Sequence, residues 1–154
     1  MKMSKKLKYF FLSFFQILWG FPQTLLGFIL LLMSPKYLRE YYKGSIVSRW
    51  DRFDGLSLGL FIFIPKTNIP SDDLKDNPEE QLLLHEYGHF IQSLIIGPFY
   101  LPVIGIPSAI WANSGHFKNI RKFKNKDYCE FYTEAWAERL SKRYNPIKAR
   151  RKHI

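Results

Sequence analysis

Residues 9–33, YFFLSFFQILWGFPQTLLGFILLLM, contain no charged side chain. No other feature limits the possible folds so strongly. A run this apolar must be buried in a large core or placed in lipid. The chain has 154 residues, enough for one domain with a small soluble core. Lipid is therefore the expected environment, and it accounts for the aromatic content of 18%.

About twenty apolar residues cross a hydrocarbon layer, so the run is long enough for one crossing. The rival reading is a secretory signal sequence. Its apolar core is typically ~7–15 residues and ends at a small-residue cleavage site, and neither property is present here. Residues 1–34 are thus expected to form a retained membrane segment. Gly20 and Pro22 interrupt it, giving either a kinked span or a hairpin of two pieces. Each piece would hold about 12 residues, roughly 18 Å as helix, too short to cross alone.

The polar remainder, residues 35–148, reads as one domain of the α+β class, mostly α, with a basic tail at 149–154 expected to be disordered. In SLGLFIFIPK (57–66) the apolar, β-branched and aromatic residues predict a strand stopped by Pro65. Residues 67–81 form a polar loop leading into a helix with an acidic first turn. Asn77 suits the N-cap, Pro78 the first helical position, and Glu79 and Glu80 the helix dipole. That helix is predicted over 78–96, ending at Gly97-Pro98.

Within it, LLLHEYGHFIQS (82–93) places His85 and His89 one turn apart on the same helix face. Two imidazole nitrogens can then meet one cation. Glu86 lies one step round the helix, where a carboxylate can take a proton from a water activated by zinc. The alternative is a helix face whose polar groups are simply solvated or satisfied. Flanking Leu82–Leu84, Phe90, Ile91, Leu94 and Ile95 predict a buried helix, so its polar groups need partners. Gly88 costs a helix interior roughly 1 kcal/mol, which suggests a close approach to the backbone, helix–helix packing included.

Two histidines leave a catalytic zinc short of a ligand. In DYCEFYTEAWAERLSKRY (127–144), Glu130, Glu134 and Glu138 recur every fourth residue, predicting one acidic helix face. A cation facing them would relieve their repulsion, and so would pairing with Arg139, Lys142 and Arg143. His116, in NSGHF, is another candidate third ligand, and Glu130 a further one. His116, Tyr128, Tyr132 and Arg143 are the available donors to a developing oxyanion.

HEYGH followed about forty-five residues later by EAWAE resembles the zinc metallopeptidases of the gluzincin branch. The nearest pattern is that of membrane-bound members with E-x-x-A-D on a later helix. The resemblance implies His85, His89 and Glu134 as Zn²⁺ ligands, Glu86 as general base and Glu138 as partner of a ligand histidine. The departure is Glu138 in place of aspartate, one methylene longer. The run from HEYGH to GP also resembles uncharacterised small bacterial membrane proteins, which implies a bacterial cell membrane but no substrate. A site-two-type intramembrane protease is disfavoured because no later aspartate motif follows.

A second apolar stretch, residues 94–112, contains Gly97, Pro98, Pro102, Gly105 and Pro107, which oppose a regular spanning helix. A full crossing would also separate HEYGH from Glu134 by about 30 Å. The zinc reading therefore requires this stretch to be re-entrant, interfacial or folded on the domain.

The net charge is +10, with clusters at 2–8, 36–52, 118–126 and in the tail. No nucleic-acid motif accompanies them, so anionic lipid headgroups are the expected partner and nucleic acid is not. Both flanks of 9–33 are basic, so charge does not fix orientation. The single Cys129 excludes an internal disulfide. The expected function is a membrane-associated zinc metallopeptidase acting on a peptide or protein. The alternative is a non-catalytic membrane protein with a structural metal site or none.

Overall fold

In the computed structural model, residues 4–33, 38–66 and 78–144 are described. The expectations for Asn77, most of the 67–81 loop and the basic tail fall outside them. Helix α1 (Lys5–Trp19) starts at Ser4, whose hydroxyl accepts from the Leu7 amide, and α2 (Phe21–Leu32) follows at once with Pro22 in its first turn. The two axes are bent by 100° at Gly20, and among the described residues no single helix is long and apolar enough to cross a membrane. The interruption expected at Gly20 and Pro22 is thus a sharp bend between two short helices. The chain turns at Gly20 because Pro22 has no amide hydrogen for continuing the α1 ladder.

This pair has an unusual polarity. Its buried side carries Gln16, Gln23 and Thr24, whereas Phe10, Phe14, Leu18 and Phe21 are exposed. Gln16 and Gln23 both donate to the Ser93 hydroxyl, at 2.6 and 2.8 Å, and Gln23 also donates to the Gly97 carbonyl. The Thr24 hydroxyl accepts from the Leu60 amide and donates to the Gln16 carbonyl.

Four strands follow, β1 (Arg39–Tyr42), β2 (Ser45–Trp50), β3 (Leu56–Leu58) and β4 (Phe61–Pro65), in spatial order β1-β2-β4-β3. Strands β1 and β2 form a hairpin over Lys43 and Gly44, both at positive φ, which suits a tight two-residue turn. The single strand expected over 57–66 is a second hairpin instead. Gly59, with φ of 59°, reverses the chain so that β3 pairs antiparallel with β4. Strand β4 pairs parallel with β2 and is buried on both faces, hence its unbroken apolar run.

Ile62 and Ile64 of β4, with Val47, pack on Tyr87, Phe90, Ile91 and Leu140. Phe61 and Phe63 point the other way and pack with Trp50, Leu60 and Leu31 of α2. The sheet thus lies between α2 on one face and α3 (Pro78–Ile96) on the other, and α6 (Tyr132–Tyr144) packs along α3, with Leu140 joining the same core cluster. The limits of α3 are those that the spacing predicts.

After α3 the apolar stretch breaks into a 3-10 turn at Gly97–Phe99, a π turn at Leu101–Gly105 and α4 (Ile106–Asn113). Gly97, at φ of 63°, lies against the Trp19 ring where a Cβ would collide. Ile104 and Trp111 are buried, so the stretch folds back onto the domain. Helix α5 (Gly115–Lys124) follows and has no buried residue. The class is α+β and mostly helical, with a small mixed sheet.

Candidate metal centre

Helices α3 and α6 approach closely at Gly88. A Cβ there would run into the Ala137 backbone of α6, so the missing side chain lets the two helices touch. Glu134, one turn before Ala137, is thereby laid over the His85–His89 face of α3.

The His85 Nε2 lies 2.9 Å and the His89 Nε2 3.3 Å from the same oxygen, Oε2 of Glu134. One donor atom from each of the three residues lies within 4.8 Å of the others. The far ring nitrogens are also engaged. His89 Nδ1 lies 2.7 Å from Oε1 of Gln92, whose amide donates to the Thr133 carbonyl and so ties α3 to α6. His85 Nδ1 lies 3.5 Å from Glu138, which also pairs with Lys142 at 3.0 Å. The other Glu134 oxygen accepts from Ser108 of α4 and from the Thr133 hydroxyl.

Glu86 is buried beside the histidines. Its carboxylate fills the space where a Cβ on Gly55 would sit. Burial raises the Glu86 carboxyl above its ordinary range, and His89 and His85 pull it part of the way back. Burial also works against a charge on His85. The hydrogen bond to Glu134, with the charges of Glu86 and Glu134, outweighs it and lifts the imidazole to about 9. Burial opposes ionisation of Glu134 too, but hydrogen bonds from His85 and His89 drive it well below the carboxylate range.

These groups open into a cavity of about 860 Å³ lined also by Asp54, Gly55, Leu56, Ser57, Tyr100, Leu101, Ser108, Asn113 and Tyr128. Burial pushes the phenols of Tyr100 and Tyr128 well up. The Tyr100 hydroxyl donates to the Ser57 carbonyl at 3.2 Å, so β3 borders the cavity with that carbonyl already engaged.

The remaining sequence candidates lie elsewhere. Glu130 is not on the α6 face; it sits in a 3-10 turn ahead of the helix. The capping box explains this, since the Glu130 side chain accepts from the Asp127 amide and Asp127 caps the turn. His116, expected in a loop, lies in α5, exposed, with its ring edge-on to Phe117. Neither Glu130 nor His116 belongs to the triad. The Tyr132 hydroxyl donates to the Val103 carbonyl, Arg143 is exposed near the end of α6, and neither lines the cavity.

Sequence reasoning missed Gln92, Ser108, Tyr100 and Gly55. Gln92 carried a signal, three residues beyond His89 and so next to it on the helix. The other three are brought in by the tertiary fold.

The donor set fits zinc. Two imidazole nitrogens and a carboxylate oxygen form a ligand class typical of catalytic zinc, and outer hydrogen bonds to the far imidazole nitrogens usually accompany such sites. No protein-family profile matches the chain, and neither does a curated protein or a solved structure at a significant level.

Proposed function

We propose that the protein is a membrane-associated, zinc-dependent hydrolase of the metallopeptidase type. The reading is carried by the convergence of His85, His89 and Glu134 on one point, with the buried Glu86 carboxyl beside it. Bound zinc would supply Lewis acidity and lower the pKa of water towards neutrality.

The chain's own residues perform the other tasks. His85, His89 and Glu134 would hold the ion. Gln92 accepts the Nδ1 proton of His89, Glu138 faces the Nδ1 of His85, and each orientation turns Nε2 inward. Glu86, raised by burial, is suited to accept a proton from water and return it to a leaving amine near neutral pH. The protonated Tyr128 phenol on the cavity wall is a donor available to a carbonyl oxygen gaining charge.

A second reading draws on the same hydrogen bonds. Glu134 already pairs with both histidines, which suits a non-catalytic membrane protein whose cluster is satisfied within itself. That reading has no use for Glu86.

Quenched fluorescent peptides presented to wild-type and Glu86→Gln protein separate the two. Hydrolysis should fall by about 10²–10⁴-fold in the variant, the usual worth of a general base, with bound zinc unchanged. Equal rates in both proteins, or no cleavage by wild type, would remove the hydrolase reading.

A further inference from the structure

We infer that the protein lies in a single leaflet, with the exposed sides of α1, α2 and α4 in the acyl layer, and that its cavity opens along that surface. Substrate then enters from the lipid: a peptide held in the bilayer by an apolar segment next to the bond. The substrate half of this inference rests on the hydrolase reading; the placement does not.

The first support is the inverted polarity of the helix pair. In α1, Leu7, Phe10, Phe14 and Leu18 recur at helical spacing and are 46–63% exposed, whereas Gln16 is fully buried. Water would favour the reverse arrangement. Lipid favours this one, because apolar side chains suit the acyl phase and polar side chains join helices internally. The Gln16–Ser93–Gln23 hydrogen bonds are such a joint.

The second support is length and direction. Helices of 15 and 12 residues measure about 22 and 18 Å, against a hydrocarbon core of about 30 Å. Their 100° bend prevents them from adding end to end. Helices too short to cross singly suit a re-entrant or interfacial position on one side of the bilayer.

The third support is where the cavity meets this surface. Leu30 of α2 and Ile106 of α4 both line it, and each belongs to a helix with an exposed apolar side. Ile106 is itself 55% exposed, next to the exposed Val103 and Ile110. Beside α4, helix α5 carries Lys118, Lys122 and Lys124, all exposed, and α1 begins with Lys5, Lys6 and Lys8. This basic fringe attracts anionic headgroups and repels a second copy of the chain.

The test uses the full chain with Cys129→Ser and single cysteines at Leu26→Cys, Ile106→Cys and Lys122→Cys, each bearing an NBD fluorophore. All three positions are exposed, so labelling does not disturb the core. The protein is added to preformed phosphatidylcholine–phosphatidylglycerol vesicles.

Doxyl-labelled lipid should cause loss of emission at positions 26 and 106, and aqueous iodide loss at 122 alone. An impermeant maleimide should modify Lys6→Cys and Lys122→Cys from the same side. Iodide quenching at 26 and 106 without doxyl quenching would overturn the placement, as would protection of position 6 or 122, which indicates a span. Shielding that disappears on dilution would assign the surface to a second copy instead.

A His85→Ala protein should keep the same quenching pattern, so placement and metal binding are read separately. A peptide cleaved in solution should be cleaved faster on vesicles when remade with a palmitoyl anchor. Equal rates would overturn lipid entry, whereas absence of any cleavage would count against the hydrolase reading alone.

Discussion

Gly88 of α3 rests on the backbone of Ala137 in α6, and this contact determines whether Glu134 reaches the two histidines. Any side chain at position 88 must push α6 outward, taking Glu134 with it. Gly88→Ala should cost about 1–3 kcal/mol, the usual penalty of overpacking, although alanine is the better helix former. It should also weaken metal binding. Thermal unfolding with and without added zinc checks both effects, and an unchanged zinc affinity would show that the contact does not position Glu134.

Gln92 holds the Nδ1 of His89 and joins it to the Thr133 carbonyl of α6. Gln92→Ala should weaken zinc binding by about 10–100-fold, as is usual when a hydrogen-bonded partner of a ligand histidine is lost. Gln92→Glu keeps an acceptor for the imidazole and should bind closer to wild type. Competition with a chromogenic chelator measures the order.

The metal-free protein should show a defined pH dependence. His85 is raised from 6.5 to about 9, so its pairing contributes fully below 6.5 and is lost as pH rises through about 9. Glu134 is lowered from 4.5, so its contribution is present above 4.5 and lost as pH falls further. The thermal midpoint of zinc-free protein should therefore fall between pH 6.5 and about 9 and again under acid. Zinc must displace the His85 proton, so zinc should remove the alkaline fall. A flat alkaline limb without zinc would contradict the His85–Glu134 pairing.

Gln23 ties α2 to the far end of α3 through Ser93 and Gly97. Gln23→Leu leaves buried partners unmet, at a cost of about 1–3 kcal/mol. Metal affinity should change little, because Ser93 is a full turn beyond His89. Limited proteolysis beside a zinc titration distinguishes loosening of the helix pair from damage to the site.

The grouping of the candidate site is legible where chemistry and helical period coincide. His85, Glu86 and His89 announce themselves by spacing, and Glu134 by its place in the EAWAE run. Helix α3 was readable from its acidic first turn to the Gly97-Pro98 stop. The π turn and α4 were not, because Pro102, Gly105 and Pro107 read as breakers, although the first turn of a helix accepts proline. The β3–β4 hairpin was hidden because Gly59 interrupts an otherwise continuous strand pattern. Glu130 misled because a four-residue repeat continues through a point where the backbone does not, the Asp127–Glu130 capping box having closed its own turn first. Ser108, Tyr100 and Gly55 reach the site only through tertiary packing, which no local pattern records.

The most direct measurement is the zinc content of detergent-purified protein, with wild type beside Glu134→Ala and His116→Ala. Near-stoichiometric zinc in wild type and His116→Ala, lost in Glu134→Ala, is the result expected from the convergence of His85, His89 and Glu134. Zinc-free wild type that takes up no zinc on titration would contradict the account, and so would zinc retained without Glu134.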